Sequence, residues 1–286
     1  VLIILESFGQ EMIGYYNDKI EHSNTPFLDS LFKRSLTFDG FANGRRSIEA
    51  LPSILCGIPS LMATDLPSSR YAINRIDGFG NILKDNGYTT SFFHGGNNGT
   101  MSFNTTSKSS GFDYYYGRDE YNNDSDYDGT WGIYDGPFLQ YMAHKLNSFK
   151  EPFAATVFTL SSHHPYSLPE NYVLPDTSIN TPFEKTIRYV DEALNDFFTT
   201  ASKQKWFENT IFIITADHVN PDHYFDEYKN IAGSYRVPIA FYAPQFIENK
   251  ESQEIAQHLD IGVSVLAALG INDSIISFGR NLFDSI

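Results

Sequence analysis

The sequence predicts an α/β fold, with a mostly parallel central sheet and helices on both faces, and three observations carry that prediction. Residues 1–5, 153–160 and 210–216 are near-continuous apolar runs, the pattern of strands buried on both faces in a sheet covered by helices. Amphipathic helical patterns separate such runs, so strand and helix alternate along the chain, as in a doubly wound sheet. Each run also stops at metal-binding or proton-handling side chains: Glu6, then His163-His164, then Asp217-His218. Ligands bind beyond the carboxyl ends of strands in open α/β sheets, so parallel strands would bring Glu6, His163, Asp217 and His218 to one crevice.

The remaining elements follow in order. Thr25-Pro26 and Thr181-Pro182 carry the signature of a helix start, Thr as N-cap and Pro at the first helical position. After the second, Phe183, Ile187, Val190, Leu194 and Phe197 recur at helical spacing, which predicts a long helix covering one face of the sheet. A helix over 78–86, closed by Gly87 as a left-handed cap, leads into a strand over 89–94. Phe138, Leu139, Met142 and Leu146 mark another helix over 136–147. A strand at 237–242 and a helix capped by Asp260, ending at 269–270, complete the pattern. Residues 113–131, rich in Tyr, Asp, Asn and Gly, read as a long loop, either solvated or a lid over a cleft. At 286 residues the chain suits one domain over 1–286, with residues from about 220 onward able to form a small C-terminal subdomain.

Composition narrows the partners. Hydrophobic residues make up 41% and aromatics 15%, which excludes a disordered chain. A net charge of −15 argues against nucleic acid, which needs a basic surface. An anionic ligand would have to meet local positive charge, supplied by the Arg45-Arg46 pair and by any cation that the acids hold. The single Cys56 forms no internal disulfide and reads as a small buried residue. No run reaches the roughly 18–20 apolar residues of a membrane helix, and no signal peptide is visible. The sequence lacks an initiator Met and starts inside a predicted core strand, so it reads as part of a longer chain whose upstream portion could hold targeting or membrane segments.

Chemistry concentrates in a few places. In the segment from Asn43 to Pro52, a glycine turn and Arg45-Arg46 deliver Ser47 to a predicted helix N-terminus, where free N–H groups and the helix dipole favour an anion. A serine hydroxyl is a weak nucleophile unless a base or metal activates it, and a divalent cation lowers the pKa of a hydroxyl bound to it. Capping is the commoner use of a serine there; the arginines and the distant acids shift the balance toward chemistry. Glu6 and Asp217-His218 end buried strands and need a positive partner. With the Ser47 oxygen they make a mostly oxygen site with one imidazole, suited to Mn²⁺, Mg²⁺ or Zn²⁺. One of His163 and His164 can give a proton to a leaving oxygen; His163 is the choice, with His164 left open. His223 stands five residues beyond His218 and could reach the same crevice, whereas His22, His144 and His258 read as structural or surface residues.

Taken in order, Leu5 to Gly9, Thr25 to Leu28, Gly44 to Pro59, Phe93 to Gly95, Ser161 to Tyr166, Ala216 to His218 and Leu259 to Ile261 resemble the sulfatase and alkaline phosphatase superfamily. Within it the pattern is most similar to lipoteichoic acid synthase-like phosphoglycerol transferases, across nearly the whole chain. The resemblance implies a divalent cation, Mn²⁺ favoured, held by Glu6, Ser47, Asp217 and His218. It implies Ser47 as a nucleophile that forms a covalent intermediate, and His163 as substrate-binding residue. It further implies a phospholipid head group or another anionic phosphoester as substrate, an N-terminal membrane anchor in the full-length protein, and a catalytic domain outside the cytoplasmic membrane. Departures are visible: Ser47 stands where the Gram-positive synthases use Thr, residues 97–104 lack their Trp-Asn-Arg element, and Val219-Asn220-Pro221 replaces a glycine loop after Asp217-His218.

Two alternatives remain open on sequence alone. A sulfatase would need Pro and Arg at fixed offsets from the modified residue; Ser47-Ile48-Glu49-Ala50-Leu51 has neither, and Cys56 lies nine residues too late. A non-catalytic glycan or polyol binder on the same fold could stack sugars on Tyr114, Tyr115, Tyr116, Tyr121 and Trp131.

Overall fold

A computed structural model of the chain describes residues 1–72, 74, 76–176 and 179–285. Its strands are β1 (Leu2–Leu5), β2 (Leu36–Phe41), β3 (Thr89–His94), β4 (Tyr114–Tyr116), β5 (Phe153–Phe158), β6 (Phe212–Ala216), β7 (Ile239–Tyr242) and β8 (Lys250–Gln257). They form one eight-stranded sheet in the order β4-β3-β5-β1-β6-β7-β2-β8. Only β7 runs antiparallel to its neighbours, β6 and β2. Because β1, β3, β5 and β6 are mutually parallel, their carboxyl ends share one edge, and the residues that follow them meet there.

The helices are α1 (Pro26–Phe32), α2 (Ser47–Cys56), α3 (Phe79–Asp85), α4 (Phe103–Ser109), α5 (Arg118–Tyr121), α6 (Asp135–Leu146), α7 (Pro182–Ala201) and α8 (His258–Ala268). Side chains alternate across a strand, and β1 shows the consequence. Ile3 and Leu5 enter a core with α1, α6 and α7, whereas Leu2 and Ile4 enter another with α2, α3 and α8. Burial on both faces is why the strand runs read as apolar without alternation.

Three expectations need correction. Residues 113–131 are not one long loop: β4 pairs with β3 as the edge strand, and α5 follows it. Tyr115 stacks on Phe92 and Tyr116 on Phe93, so aromatic packing on β3 recruits the segment into the sheet. Asp260 is not the N-cap of α8: the helix starts at His258, and the Asp260 carboxylate accepts from the N–H of Gln257 at 2.7 Å. Among the described residues from 220 onward no separate core is built, since β7 and β8 belong to the common sheet and Ile261, Val265 and Leu266 of α8 join the second core.

The Thr181 helix start has Thr181 as N-cap, as expected, and Glu184 caps back onto it. Thr25 differs: its hydroxyl donates to Asp29 Oδ1, and the first N–H groups of α1 are taken by Asp191 of α7. Phe27 N and Leu28 N each donate to its carboxylate at 2.9 Å. Asp191→Ala strands both donors and should lower stability by about 2 kcal/mol at pH 5, measured by denaturant unfolding. Burial pushes the Asp191 carboxyl up to about 7. A raised folded-state pKa contributes stability at low pH that is lost as pH rises through it, so the deficit of the variant should narrow toward pH 7. A deficit that widened with pH would contradict this assignment.

Candidate metal centre and active site

β1 ends at Leu5, and the chain then turns sharply. Ser7 adopts φ 60°, a left-handed conformation uncommon for a residue with a side chain. The turn serves the site: Ser7 N donates to Asp217 Oδ1 at 2.8 Å and Ser7 Oγ to Glu6 Oε1 at 2.7 Å. The end of β5 braces the same corner, with Glu6 N donating to Thr159 Oγ1 at 3.0 Å and Ser162 Oγ to the Glu6 carbonyl at 2.6 Å. Buried His258 ties the end of β6 to the loop before α2, through Ala216 O at 2.7 Å and Asn43 N at 3.3 Å.

Ser47 is the first residue of α2, not its cap; Arg46 occupies the cap position and no side chain caps the helix. The loop before it needs Gly44, where a Cβ would stand 2.6 Å from Glu49 Cβ. The Ser47 hydroxyl turns away from the helix backbone and donates to Glu6 Oε2 at 3.2 Å, with His218 Nε2 3.4 Å away. His218 Nε2 lies 3.7 Å from Glu6 Oε1 and 3.2 Å from Asp217 Oδ2. One ligand atom each from Glu6, Asp217 and His218 falls within 4.8 Å of the others, and no other such group of three occurs among the described residues. The sequence-predicted quartet is therefore assembled.

The donor set fits a divalent cation. His218 Nδ1 donates to Val219 O at 3.0 Å, which leaves Nε2 as a lone pair in the neutral ring. Asp217 Oδ2 is buried and accepts no hydrogen bond from any described residue, an arrangement that costs free energy unless something positive sits there. Oxygen from Glu6, Asp217 and Ser47 with one imidazole suits manganese, magnesium or zinc. Without a cation the crowding is relieved by protons. Burial and the Asp217 charge push Glu6 up to about 8, against the pull of His218 and the hydroxyls. Burial works to lower His218, but Asp217 and Glu6 outweigh it and raise it.

The other predicted residues divide. His163 borders a narrow slot beside Glu6, together with His94, Met101, Phe103 and Trp131; His164 is exposed. Arg45 and Arg46 line an open cleft of about 670 Å³ with Asn43, Glu49, Leu61 and Tyr235. Arg46 pairs with Glu49 at 2.7 Å, so part of its charge is already answered; the Arg45 guanidinium lies 6.0 Å over the Tyr235 ring. His223 is not brought to the quartet by its hydrogen bonds, because its ring nitrogens engage Glu11 Oε1 at 2.7 Å and Ser234 Oγ at 3.1 Å. A buried carboxylate, Glu11, holds the ring in place. Cys56 sits at the far end of α2 from Ser47, buried against Ser110, with burial raising its thiol to about 11. Of the proposed sugar-stacking tyrosines, Tyr115 and Tyr116 stack on β3 and Tyr121 packs against Phe138 and Tyr141, whereas Tyr114 is exposed; only Trp131 of that set borders the slot.

Sequence reasoning missed Ser7, Thr159 and His94 as parts of this neighbourhood. His94 was findable, since it ends β3 as Glu6 follows β1. It is buried, and burial lowers it to about 4.

An α/β sheet that gathers two carboxylates, an imidazole and a serine at a helix N-terminus along its carboxyl edge defines the fold and site class of this chain. The chain belongs to the sulfatase family, whose model matches residues 1–271. It is 27% identical to lipoteichoic acid synthase 1 of Bacillus subtilis (strain 168) over 99% of this chain and 47% of that protein. It is 26% identical to phosphoglycerol transferase I of Salmonella typhi, over 96% of this chain and 38% of the relative. The chain thus spans about half or less of the length of these curated relatives. The lipoteichoic acid synthase LtaP of Listeria monocytogenes superposes with a TM-score of 0.87 at 21% identity, over 98% of this chain and 74% of that one, which shows the common alkaline phosphatase-like fold.

Proposed function

We propose that this chain is the catalytic domain of a phosphoester transferase that moves a phosphoglycerol-type head group from an anionic phospholipid to an acceptor. The observation that carries the reading is the Ser47 hydroxyl, at a helix N-terminus, within hydrogen-bond range of Glu6 and His218. Relatives named for lipoteichoic acid synthesis and phosphoglycerol transfer support the substrate class, an extracytoplasmic setting and membrane anchoring of the full-length protein. No described helix is long and apolar enough to cross a membrane. Glu6, Ser47, Asp217 and His218 would hold one divalent cation, with manganese the leading candidate. Bound there, it would lower the pKa of the Ser47 hydroxyl and draw charge from the phosphoryl oxygens.

Ser47 Oγ attacks phosphorus, forming an O–P bond as the bond to the diacylglycerol oxygen breaks. Its proton follows the 3.2 Å hydrogen bond to Glu6 Oε2, and the leaving oxygen takes a proton from His163 Nε2. In the second half, an acceptor hydroxyl gives its proton to His163 and attacks the same phosphorus; the bond to Ser47 breaks and Glu6 returns the proton. Free backbone N–H groups at the start of α2 and the Arg45 and Arg46 guanidinium groups offset the phosphoryl charge.

The test is incubation of the manganese-loaded protein with phosphatidylglycerol labelled in its head-group glycerol, with 4-nitrophenyl sulfate in parallel. Release of diacylglycerol with transfer of label, and no sulfate release, is the expected result. Sulfate release without lipid cleavage would replace this reading with a sulfatase.

A further inference from the structure

The loop that carries His163 is gripped at two points by a segment that takes no part in the bond-making and proton transfers at Ser47, Glu6 and His163. At one end, Asp135, buried at the start of α6, binds the loop reciprocally. Its carboxylate accepts from Leu160 N at 3.0 Å and Ser161 N at 2.7 Å, while Asp135 N donates to Ser161 Oγ at 2.9 Å. At the other end, Trp131 Nε1 donates to the His164 carbonyl at 2.7 Å. His163 Nδ1 approaches that same carbonyl at 2.7 Å, which fixes one ring proton on Nδ1 and leaves Nε2 to face the slot, where the imidazolium form carries the second proton that it donates. The Trp131 ring also packs on the imidazole, with centroids 4.2 Å apart.

Trp131 is itself held in place. Asp128 Oδ1 accepts from the N–H groups of Thr130, Trp131 and Gly132 at 2.7, 2.7 and 3.0 Å. Gly132 is required at the crossing with the β3 end, because a Cβ there would stand 2.2 Å from the Gly95 carbonyl oxygen. Residues 128–135 therefore form a short, internally tied brace that joins the β3 end, the start of α6 and the His163 loop.

We propose that Trp131 and Asp135 are positioning residues for His163: they fix its tautomer and aim Nε2 at the leaving oxygen, without touching substrate chemistry themselves. The claim rests on the reading of His163 as proton donor. A carboxylate is suited to the task because it accepts two loop N–H groups at once. An asparagine of the same shape would turn an NH₂ group toward one of them. A phenylalanine at 131 keeps the ring contact and removes only the bond to the His164 carbonyl.

The experiment compares Trp131→Phe, Asp135→Asn and His163→Ala on two glycerol phosphodiesters, one with an alkyl leaving group and one with 4-nitrophenolate, which needs no proton. Each positioning variant should lower kcat for the alkyl ester about 10- to 100-fold, leave the nitrophenyl ester within about threefold, and keep KM within about twofold. His163→Ala should show the same split, more strongly. A merely structural role would depress both substrates together, and that result, or unchanged alkyl turnover, overturns the proposal. Imidazole ¹⁵N shifts in the metal-free protein give a second measurement. The wild type should show His163 protonated at Nδ1, and Trp131→Phe should move it toward a mixed tautomer. Should His163→Ala show no leaving-group split, the proton-donor reading fails by itself; an unchanged His163 tautomer in both variants would then reject the brace independently.

Discussion

Ser47→Ala is expected to abolish turnover, lowering kcat by at least about 10³-fold, and to remove the labelled phosphoryl group trapped on the acid-quenched protein. The expectation separates chemistry from folding. The substitution deletes one hydrogen bond to Glu6, worth about 1 kcal/mol, and it leaves α2 intact because Ser47 does not cap that helix. A second hydroxyl, Ser7 Oγ, also reaches Glu6, at 2.7 Å, so it is the natural competitor for the role. Ser7 sits in the turn after β1 and supports Glu6 and Asp217, whereas Ser47 stands at the N-terminus of a ten-residue helix, where a phosphoryl group meets free N–H groups. Ser7→Ala should therefore keep the covalent label at reduced rate. Label retained in Ser47→Ala and lost in Ser7→Ala would transfer the nucleophile to the other side of Glu6 and rule out attack by Ser47.

The meeting of Glu6, Ser47, Asp217 and His218 was legible in the sequence because each residue is tied to a strong local signal. Glu6 and Asp217 follow apolar runs that could only be buried strands, and Ser47 opens a helix after a glycine turn. Parallel pairing then does the rest, since it places all such strand ends on one edge. What failed to show was governed by contacts between distant residues. The Asp191 cap on α1 joins residues 163 and 164 positions apart, and no pattern within α1 hints at it. The strand β4 hid inside a polar, tyrosine-rich stretch because it is an edge strand of only three residues, recruited by stacking on Phe92 and Phe93. The partner of His223 was hidden for the same reason: only its proximity in sequence to His218 was visible, whereas Glu11, 212 residues away, holds its ring. The role of the 128–135 brace was likewise invisible, since its function lies in hydrogen bonds to a loop some 30 residues on.

Asp217→Asn should lower divalent-cation affinity by at least about 100-fold, measured by titration calorimetry with manganese and by metal content after dialysis. The carboxylate has two distinct oxygens. Oδ1 is held by Ser7 N and His218 N, both at 2.8 Å, and an asparagine oxygen can keep those bonds. Oδ2 has no described hydrogen-bond partner, and the substitution puts an NH₂ donor there, facing His218 Nε2 and any cation. The fold should survive, because removing the Asp217 charge relieves its repulsion of Glu6. Linkage makes this measurable without any enzyme assay. In the metal-free protein Glu6 is raised to about 8 from 4.5, by burial and then by Asp217. Its contribution to stability is present below its unfolded pKa and is lost as pH rises through about 8. Chelated wild type should thus lose thermal stability between pH 5 and pH 8, and manganese at 100 times its dissociation constant should restore about 2.7 kcal/mol. In Asp217→Asn the decline with pH should be shallower, and manganese should give almost no shift in Tm. A variant that binds manganese as tightly as wild type, or gains the same thermal shift from it, would show that Asp217 is not a ligand.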